Sequence, residues 1–188
     1  MLTTETTKAY LSILREELVP ATGCTEPIAL AYAAARLRDI LEAWPERIRA
    51  EVSGNIIKNV KSMVVPNTGG LKGISAAIAA GNAEKILQVI SYVPAERHEA
   101  IAAYCQDTSI EIVCADTPRM LDIRLTGWAG EHSACVHIAN SHSNIVREES
   151  DGEVLLEKSV TDSAEDNLTD KNVLNVADIL KFADTAEL

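Results

Sequence analysis

The feature that most constrains this fold is a change of hydrophobic period near Ser109. From there to residue 158, apolar and polar side chains alternate in short runs, a pattern typical of strands buried on one face. The runs are IEIVCA, MLDIRLTG, HSACVHIAN, NIVREES and EVLLEKS, with short turns between them. We therefore predict successive antiparallel strands over residues 109–158.

Before Ser109 the apolar spacing is mostly that of amphipathic helices. We predict helices over residues 5–18, from Thr25 to about Leu41, in two pieces between Gly73 and Tyr92, and from Pro94 to about Tyr104. Residues 48–65 are rich in β-branched side chains, which favours one long strand or two. An acidic loop over residues 159–171 leads to a terminal helix at 172–184.

Helices followed by a run of strands predict an α+β fold, with N-terminal helices packed on a mainly antiparallel sheet. The formal net charge is −11, so a nucleic-acid partner is not expected, because phosphate binding needs clustered Lys and Arg. No run of about 18 apolar residues predicts a membrane span. The chain shows no secretory signal and no paired cysteine motif, so we expect reduced thiols and a cytoplasmic location.

The stretch PATGCTEP at residues 20–27 places Cys24 just before a helix, with Thr25 as its predicted cap and Glu26 in its first turn. Unpaired N–H groups and the helix dipole favour a thiolate there. A thiolate binds a metal or attacks a substrate. An ordinary turn with a small buried cysteine is the alternative, and Cys105, Cys114 and Cys135 are interpreted as core residues.

The stretch SGNIIKN at residues 53–59 carries Asn55, Lys58 and Asn59 within apolar sequence, where polar groups are costly to bury unless they bind something. If the stretch is extended, Ser53 and Asn55 share one face. A half-exposed strand with its polar side in water is the alternative interpretation.

The loop PNTGGLKG at residues 66–73 precedes a predicted helix, and its Asn67, Thr68 and Gly69 are candidate binders of a carboxylate or phosphate. A plain turn is the alternative. His142, at a strand turn, is a candidate acid–base group or a surface histidine. His132 and His137 are interpreted as structural.

Four blocks, PATGCTEPIALAYAAA, SGNIIKNVKSMVVPNTGGLKG, SHSNIVREE and ILKFAD, together resemble the L-cysteine desulfidase family, which is related to the iron–sulfur L-serine dehydratases. The blocks occur in the family's order and span almost the whole chain. The resemblance implies that residues 1–188 are the N-terminal domain of such an enzyme, without its helical, cluster-binding C-terminal half.

The resemblance also implies a lyase that converts L-cysteine and water to pyruvate, ammonia and hydrogen sulfide at a 4Fe-4S cluster. Cys24 matches one cluster ligand, so this chain alone is expected to hold no stable cluster and to be inactive. Cys24 is then a cluster ligand or the base, and Lys58 and His142 are further catalytic candidates. The substrate-binding candidates are Thr25, Glu26, Asn55, Asn59, Asn67, Thr68 and Gly69.

The expected partners are L-cysteine or L-serine and the missing half, with a homo-oligomer as another way to cover bare apolar surface. Other functions stay open. One is L-serine dehydratase-like deamination, and another is a non-catalytic substrate-binding or regulatory domain. A third is a pyridoxal-phosphate lyase that uses Lys58 as the Schiff base and the Gly69-Gly70 loop for phosphate.

Overall fold

The computed structural model describes residues 2–60, 64, 70, 73–159 and 169–185, with the backbone alone for 58–60. These residues divide into two compact units. One unit combines the two ends of the chain, up to Pro20 and from Thr169 onward, and the other runs from Ala21 to Ser159. No helix among the described residues is long and apolar enough to cross a membrane.

The unit formed by the chain ends contains α1 (Thr4–Glu17), a 3₁₀ turn (Lys171–Val173) and α6 (Val176–Thr185). Tyr10 of α1 is buried, and its ring meets Phe182 of α6 edge-on at 5.4 Å between centroids. The Tyr10 hydroxyl donates to the carbonyl of Val173 at 3.2 Å and accepts from the N–H of Asn175 at 3.3 Å. One aromatic residue therefore ties both ends of the chain together.

The larger unit is built on a six-stranded sheet with the order β2-β1-β3-β4-β5-β6. The strands are β1 (Arg47–Val52), β2 (Ser109–Cys114), β3 (Asp122–Ala129), β4 (His132–Ala139), β5 (Ile145–Ser150) and β6 (Glu153–Glu157). Every neighbouring pair is antiparallel except β1 and β2, which are parallel. The predicted α+β fold with a mainly antiparallel sheet is confirmed.

The helices of this unit are α2 (Thr25–Leu41), α3 (Gly54–Val60), α4 (Ile74–Ala80) and α5 (His98–Asp107), with 3₁₀ turns at Ala83–Gln88 and Ala95–Arg97. α2 contacts β3 and β4 on one side and α4 on another. It is buried on most of its surface because its alanines let neighbouring elements approach closely.

The two faces of the sheet differ in polarity because successive side chains of a strand point to opposite faces. The face beneath α2 is apolar and fully buried, with Ile48, Ala50, Val52, Ile123, Leu125, Val136 and Ile138. The register places the remaining side chains of the central strands on the other face, among them Arg49, Glu51, Arg124, Thr126, Cys135, His137 and Arg147. We call this second surface the polar face.

Three predictions about elements are wrong. The strand predicted for residues 48–65 ends at Val52, and α3 follows, because Ile56 is buried in the core and the carbonyl of Ser53 accepts from the N–H groups of Ile56 and Ile57. Tertiary packing here overrides β-propensity. The N-cap of α2 is Cys24, not Thr25. The third error concerns β2, which pairs in parallel with β1 and forms no antiparallel hairpin.

Within the range predicted for the terminal helix, residues 172–184, α6 begins at Val176, after the 3₁₀ turn. Most of the predicted acidic loop at residues 159–171 lies outside the described residues.

Candidate functional site

Cys24 is the N-cap residue of α2, with an extended backbone (φ −66°, ψ 127°) and an exposed side chain. Its carbonyl accepts the N–H of Ile28 at 3.3 Å, so the helix begins directly behind the thiol. The side chain makes no capping hydrogen bond. The thiol therefore lies, accessible to solvent, at the positive end of a 17-residue helix dipole.

Contacts of α2 with the sheet show near which end of the sheet its N-terminal residue, Cys24, lies. Leu37 packs on Gly127, where an added Cβ would lie 2.8 Å from its Cδ2. Arg36 forms a bidentate ion pair with Glu148, at 2.6 and 2.9 Å. Tyr32, one turn earlier, shares a cavity with Ser143 and Ile145, where β5 begins. The helix thus runs from the β4–β5 turn toward the end of β3, and Cys24 lies about 20 Å before Leu37.

Two other predicted site segments lie at this same end of the sheet. Asn55 is exposed in the first turn of α3, directly after β1, and α3 packs against α2. His142 is half-buried in the turn between β4 and β5. Ser53 fixes this end because its hydroxyl donates to the carbonyl of Met120 at 2.9 Å and accepts from the N–H of Asp122 at 3.3 Å.

The predicted residues share a region without forming an assembled catalytic group. Among the described residues, no hydrogen bond joins the side chains of Cys24, Asn55 and His142 to one another. Thr25 and Glu26 occupy the first turn of α2, as expected. Lys58 and Asn59 lie on α3, but their side chains are outside the described residues, as are Asn67, Thr68 and Gly69 entirely.

The thiols of the described residues do not fit a 4Fe-4S cluster by themselves, because a cubane normally needs three or four thiolates at one site. No group of three or more His, Cys, Asp or Glu side chains within these ranges is placed to hold a metal ion. Cys114, interpreted as a core residue, is instead exposed, and Cys105 is half-buried. Cys135 is buried as predicted, and burial raises the pKa of its thiol.

A buried charge network on the polar face was not found from the sequence. His137 Nε2 lies 2.8 Å from Asp122 Oδ1, and both residues are almost fully buried. Arg119 donates to the other carboxylate oxygen at 3.1 Å. Burial alone would raise the pKa of Asp122, but the hydrogen bonds and charges of His137 and Arg119 outweigh it, so the pKa lies below its ordinary value.

The sequence contains no local signal for this network, because its residues lie on different strands. His137 alternates with buried apolar neighbours, which a structural histidine would also do, and Asp122 begins a different strand. Their proximity follows from the pairing of β3 with β4, which local periodicity does not specify.

The chain is similar over nearly its whole length to proteins named UPF0597. It is 45% identical over 185 residues to one from Desulfitobacterium hafniense and 46% identical over 181 residues to one from Treponema denticola. A UPF0597 protein from Lachnoclostridium phytofermentans is 40% identical over 190 residues. These matches cover 94–96% of this chain but only 42–44% of the relatives, so the chain spans less than half of their length.

No family model matches the chain. No solved structure matches it either.

These relatives correct the family assignment made from the motifs. Assignment to the L-cysteine desulfidase family is wrong, because the proteins that match this chain from end to end carry the name UPF0597. That name states no activity, cofactor or substrate. Any function of the site must therefore be argued from its own chemistry.

Proposed function

We propose that this chain supplies the thiol-bearing part of a lyase that releases hydrogen sulfide from L-cysteine. The observation that carries the proposal is the exposed thiol of Cys24 at the N-terminal end of α2. The helix dipole places partial positive charge at this end, which favours binding of an anion beside the thiol. Elimination from an amino acid needs both a base and an anchor for the substrate carboxylate.

The N-terminal turn of α2 suits both needs. Pro27 has no N–H and the N–H of Ile28 is bonded to the carbonyl of Cys24, so we assign binding of an amino acid's carboxylate to the N–H of Thr25. A thiolate beside that carboxylate is within reach of the proton on the α-carbon. Because the described thiols do not fit a cluster, we assign Cys24 the role of base rather than of ligand.

The reaction is an α,β-elimination. The Cys24 thiolate takes the α-proton, the electron pair forms the Cα–Cβ double bond, and the Cβ–S bond breaks with release of hydrosulfide. The aminoacrylate product takes up water and gives pyruvate and ammonia. Asn55 and His142, at the same end of the sheet, are proposed to bind the amino group and to donate a proton to the leaving sulfur.

A 4Fe-4S cluster, if present in the whole protein, would supply a Lewis acid for the leaving sulfur. Its ligands would have to come from outside the described residues. The relatives are more than twice as long as the matched segment, so we propose that turnover needs that additional length and that this chain alone is inactive. A cytoplasmic location is part of the proposal, since unpaired cysteines suit a reducing compartment.

A chimera tests the proposal. This chain would replace the matched segment of the Desulfitobacterium hafniense relative, and sulfide release from L-cysteine would be measured under anaerobic conditions. We expect Cys24→Ser to lower the rate by at least about 100-fold, because serine stays protonated and is a poor general base. Cys114→Ser, at another exposed cysteine, is the matched control and should retain the parent rate.

Equal sulfide release by the Cys24→Ser and Cys114→Ser chimeras would contradict the proposal. The same assay with L-serine separates the nearest alternative, because deamination of L-serine yields pyruvate without sulfide. A folded chimera that binds L-cysteine without turnover would indicate a substrate-binding or regulatory domain instead.

A further inference from the structure

A cavity of about 560 Å³ lies on the polar face, over the first residues of β1 and β2 and the last residues of β3. It is far from Cys24, which is at the opposite end of the sheet and on the side of α2. Its volume is in the range of pockets that hold small molecules. The cavity is therefore a separate feature from the Cys24 site.

Two arginines on β1 line this cavity, and part of their hydrogen-bonding capacity is unused among the described residues. The guanidinium carbon of Arg47 lies 3.9 Å from the centroid of the Trp128 ring, which is a cation–π contact. Among the residues that the structure describes, none accepts a hydrogen bond from Arg47. The Nε of Arg49 is buried and likewise has no acceptor within the described ranges.

Two glutamate carboxylates also lie near the guanidinium of Arg49. Glu51 Oε1 lies 3.4 Å from its Nη2, and Glu111 Oε2, on the neighbouring strand, lies 3.8 Å from its Nη1. Both distances are long for a charge-assisted hydrogen bond, so these carboxylates retain acceptor capacity. The cavity lining thus includes two positive and two negative side chains, whose charges cancel.

We propose that this cavity binds a free α-amino acid, with its carboxylate on Arg47 and Arg49 and its ammonium on Glu51 and Glu111. Arg47 and Arg49 are two residues apart on one strand, about 6.6 Å between Cα atoms, a spacing that lets both guanidinium groups reach one carboxylate. A simple anion would leave the glutamates unused, and a simple cation would leave the arginines unused. A molecule with both charges can pair with all four side chains.

Tryptophan fluorescence reports on this cavity directly. The chain has two tryptophans, and in a Trp44→Phe background Trp128 is the only one. The probes are L-serine and L-leucine, with 3-hydroxypropanoate and ethanolamine as analogues of L-serine that lack the ammonium and the carboxylate, respectively. We expect a saturable change with the amino acids and binding at least about tenfold weaker with each analogue.

Variants locate the site. Arg49→Gln should weaken L-serine binding at least about tenfold, and Arg49→Lys should also weaken it because lysine keeps the charge but loses the planar fork. Glu111→Gln should weaken binding of L-serine but not of 3-hydroxypropanoate. Arg147→Gln is the matched control on the same face, because Glu149 and Glu157 already accept from Arg147. Circular dichroism verifies that each variant is folded.

Three results would overturn the inference: no saturable response to either amino acid, equal binding of 3-hydroxypropanoate and L-serine, or unchanged L-serine binding by folded Arg49→Gln. The titration is repeated with Cys24→Ser, where binding should persist. Loss of binding in that variant would place the ligand at the Cys24 end of the sheet and would also overturn the inference that this cavity binds the amino acid.

Discussion

At the scale of single residues, the carboxylate of Asp122 is buried together with His137 on the polar face. A buried carboxylate is stable only when its oxygens are satisfied, and here both are: one faces His137, and the other accepts from Arg119 and Thr117. The network also fixes the loop before β3, because Thr117 and Arg119 belong to that loop.

We predict that Asp122→Asn lowers the free energy of unfolding at pH 7 by about 1–3 kcal/mol, because it removes the charge that pairs with His137 and Arg119. The pKa of Asp122 is depressed in the folded protein, so its contribution is complete above the unfolded value of about 3.9 and is lost as the pH falls through the folded value. Urea unfolding at pH 7, 4 and 2.5 measures this effect.

The difference between wild type and Asp122→Asn should therefore be largest at pH 7 and smallest at pH 2.5. Asp116→Asn is the control, since Asp116 is exposed and has no ion pair among the described residues. A constant difference across this pH range would show that the charge of Asp122 is not what stabilises the loop.

Single residues were predictable where the signal was local. The position of Cys24 at a helix start follows from Pro20, Gly23 and the apolar run behind it, and the structure places it there. The pairs Asp122–His137 and Arg47–Trp128 each join two strands, and only the pairing register brings them together. Sequence periodicity assigns a side chain to a face but not to a neighbour.

At the scale of elements, the packing of α2 against α4 depends on very small residues. Gly81 follows α4, and an added Cβ there would lie 2.8 Å from the Cβ of Ala35 and 2.8 Å from the carbonyl oxygen of Ala77. The second of these atoms belongs to the backbone and cannot rotate away. The close approach of the two helices therefore excludes even a methyl group at this position.

We predict that Gly81→Ala lowers the free energy of unfolding by about 1–3 kcal/mol, because both α2 and the C-terminal end of α4 must shift to admit the methyl group. Gly54→Ala is the matched control. Its added Cβ meets open space within α3, and alanine favours helix, so stability should be unchanged or higher by up to about 1 kcal/mol. Thermal or urea unfolding of the two variants measures the contrast, and equal stability would mean that α2 and α4 tolerate separation.

The existence of most elements was predictable, but one pairing was not. Period-two alternation predicts that residues 109–114 form a strand and leaves its partner open. The partner is β1, and the chain between β1 and β2 contains α3, α4 and α5, a long crossover of the kind that parallel strands require. The helices predicted between these two strands thus indicated parallel pairing. The short turns that follow residue 114 favoured antiparallel pairing for every strand and hid this indication.

At the scale of the whole molecule, the division into two units means that each has its own stabilising contacts. We predict that Phe182→Ala speeds hydrogen exchange in α1 and α6, because it removes the ring that contacts Tyr10, while the amides of β3 and β4 stay protected. Mass spectrometry of exchanged peptides measures both effects.

Val176→Ala is the control on the same helix, since Val176 is 74% exposed and its loss should leave α1 protected. If Phe182→Ala instead accelerates exchange across the sheet as well, the two units unfold as one.

Tyr10 and Val173, which hold the first unit together, are 163 residues apart in the chain. During synthesis α1 leaves the ribosome before the sheet, yet its partner α6 is made only after all six strands have been synthesised. Residues 21–159 are contiguous in sequence and contact one another within one compact unit. They can therefore begin to fold while translation continues. Until α6 has been made, Tyr10 of α1 has no Phe182 ring to pack against and stays uncovered. A released chain that ends before Val173 should therefore contain a folded sheet and an α1 segment that chaperones or proteases can reach.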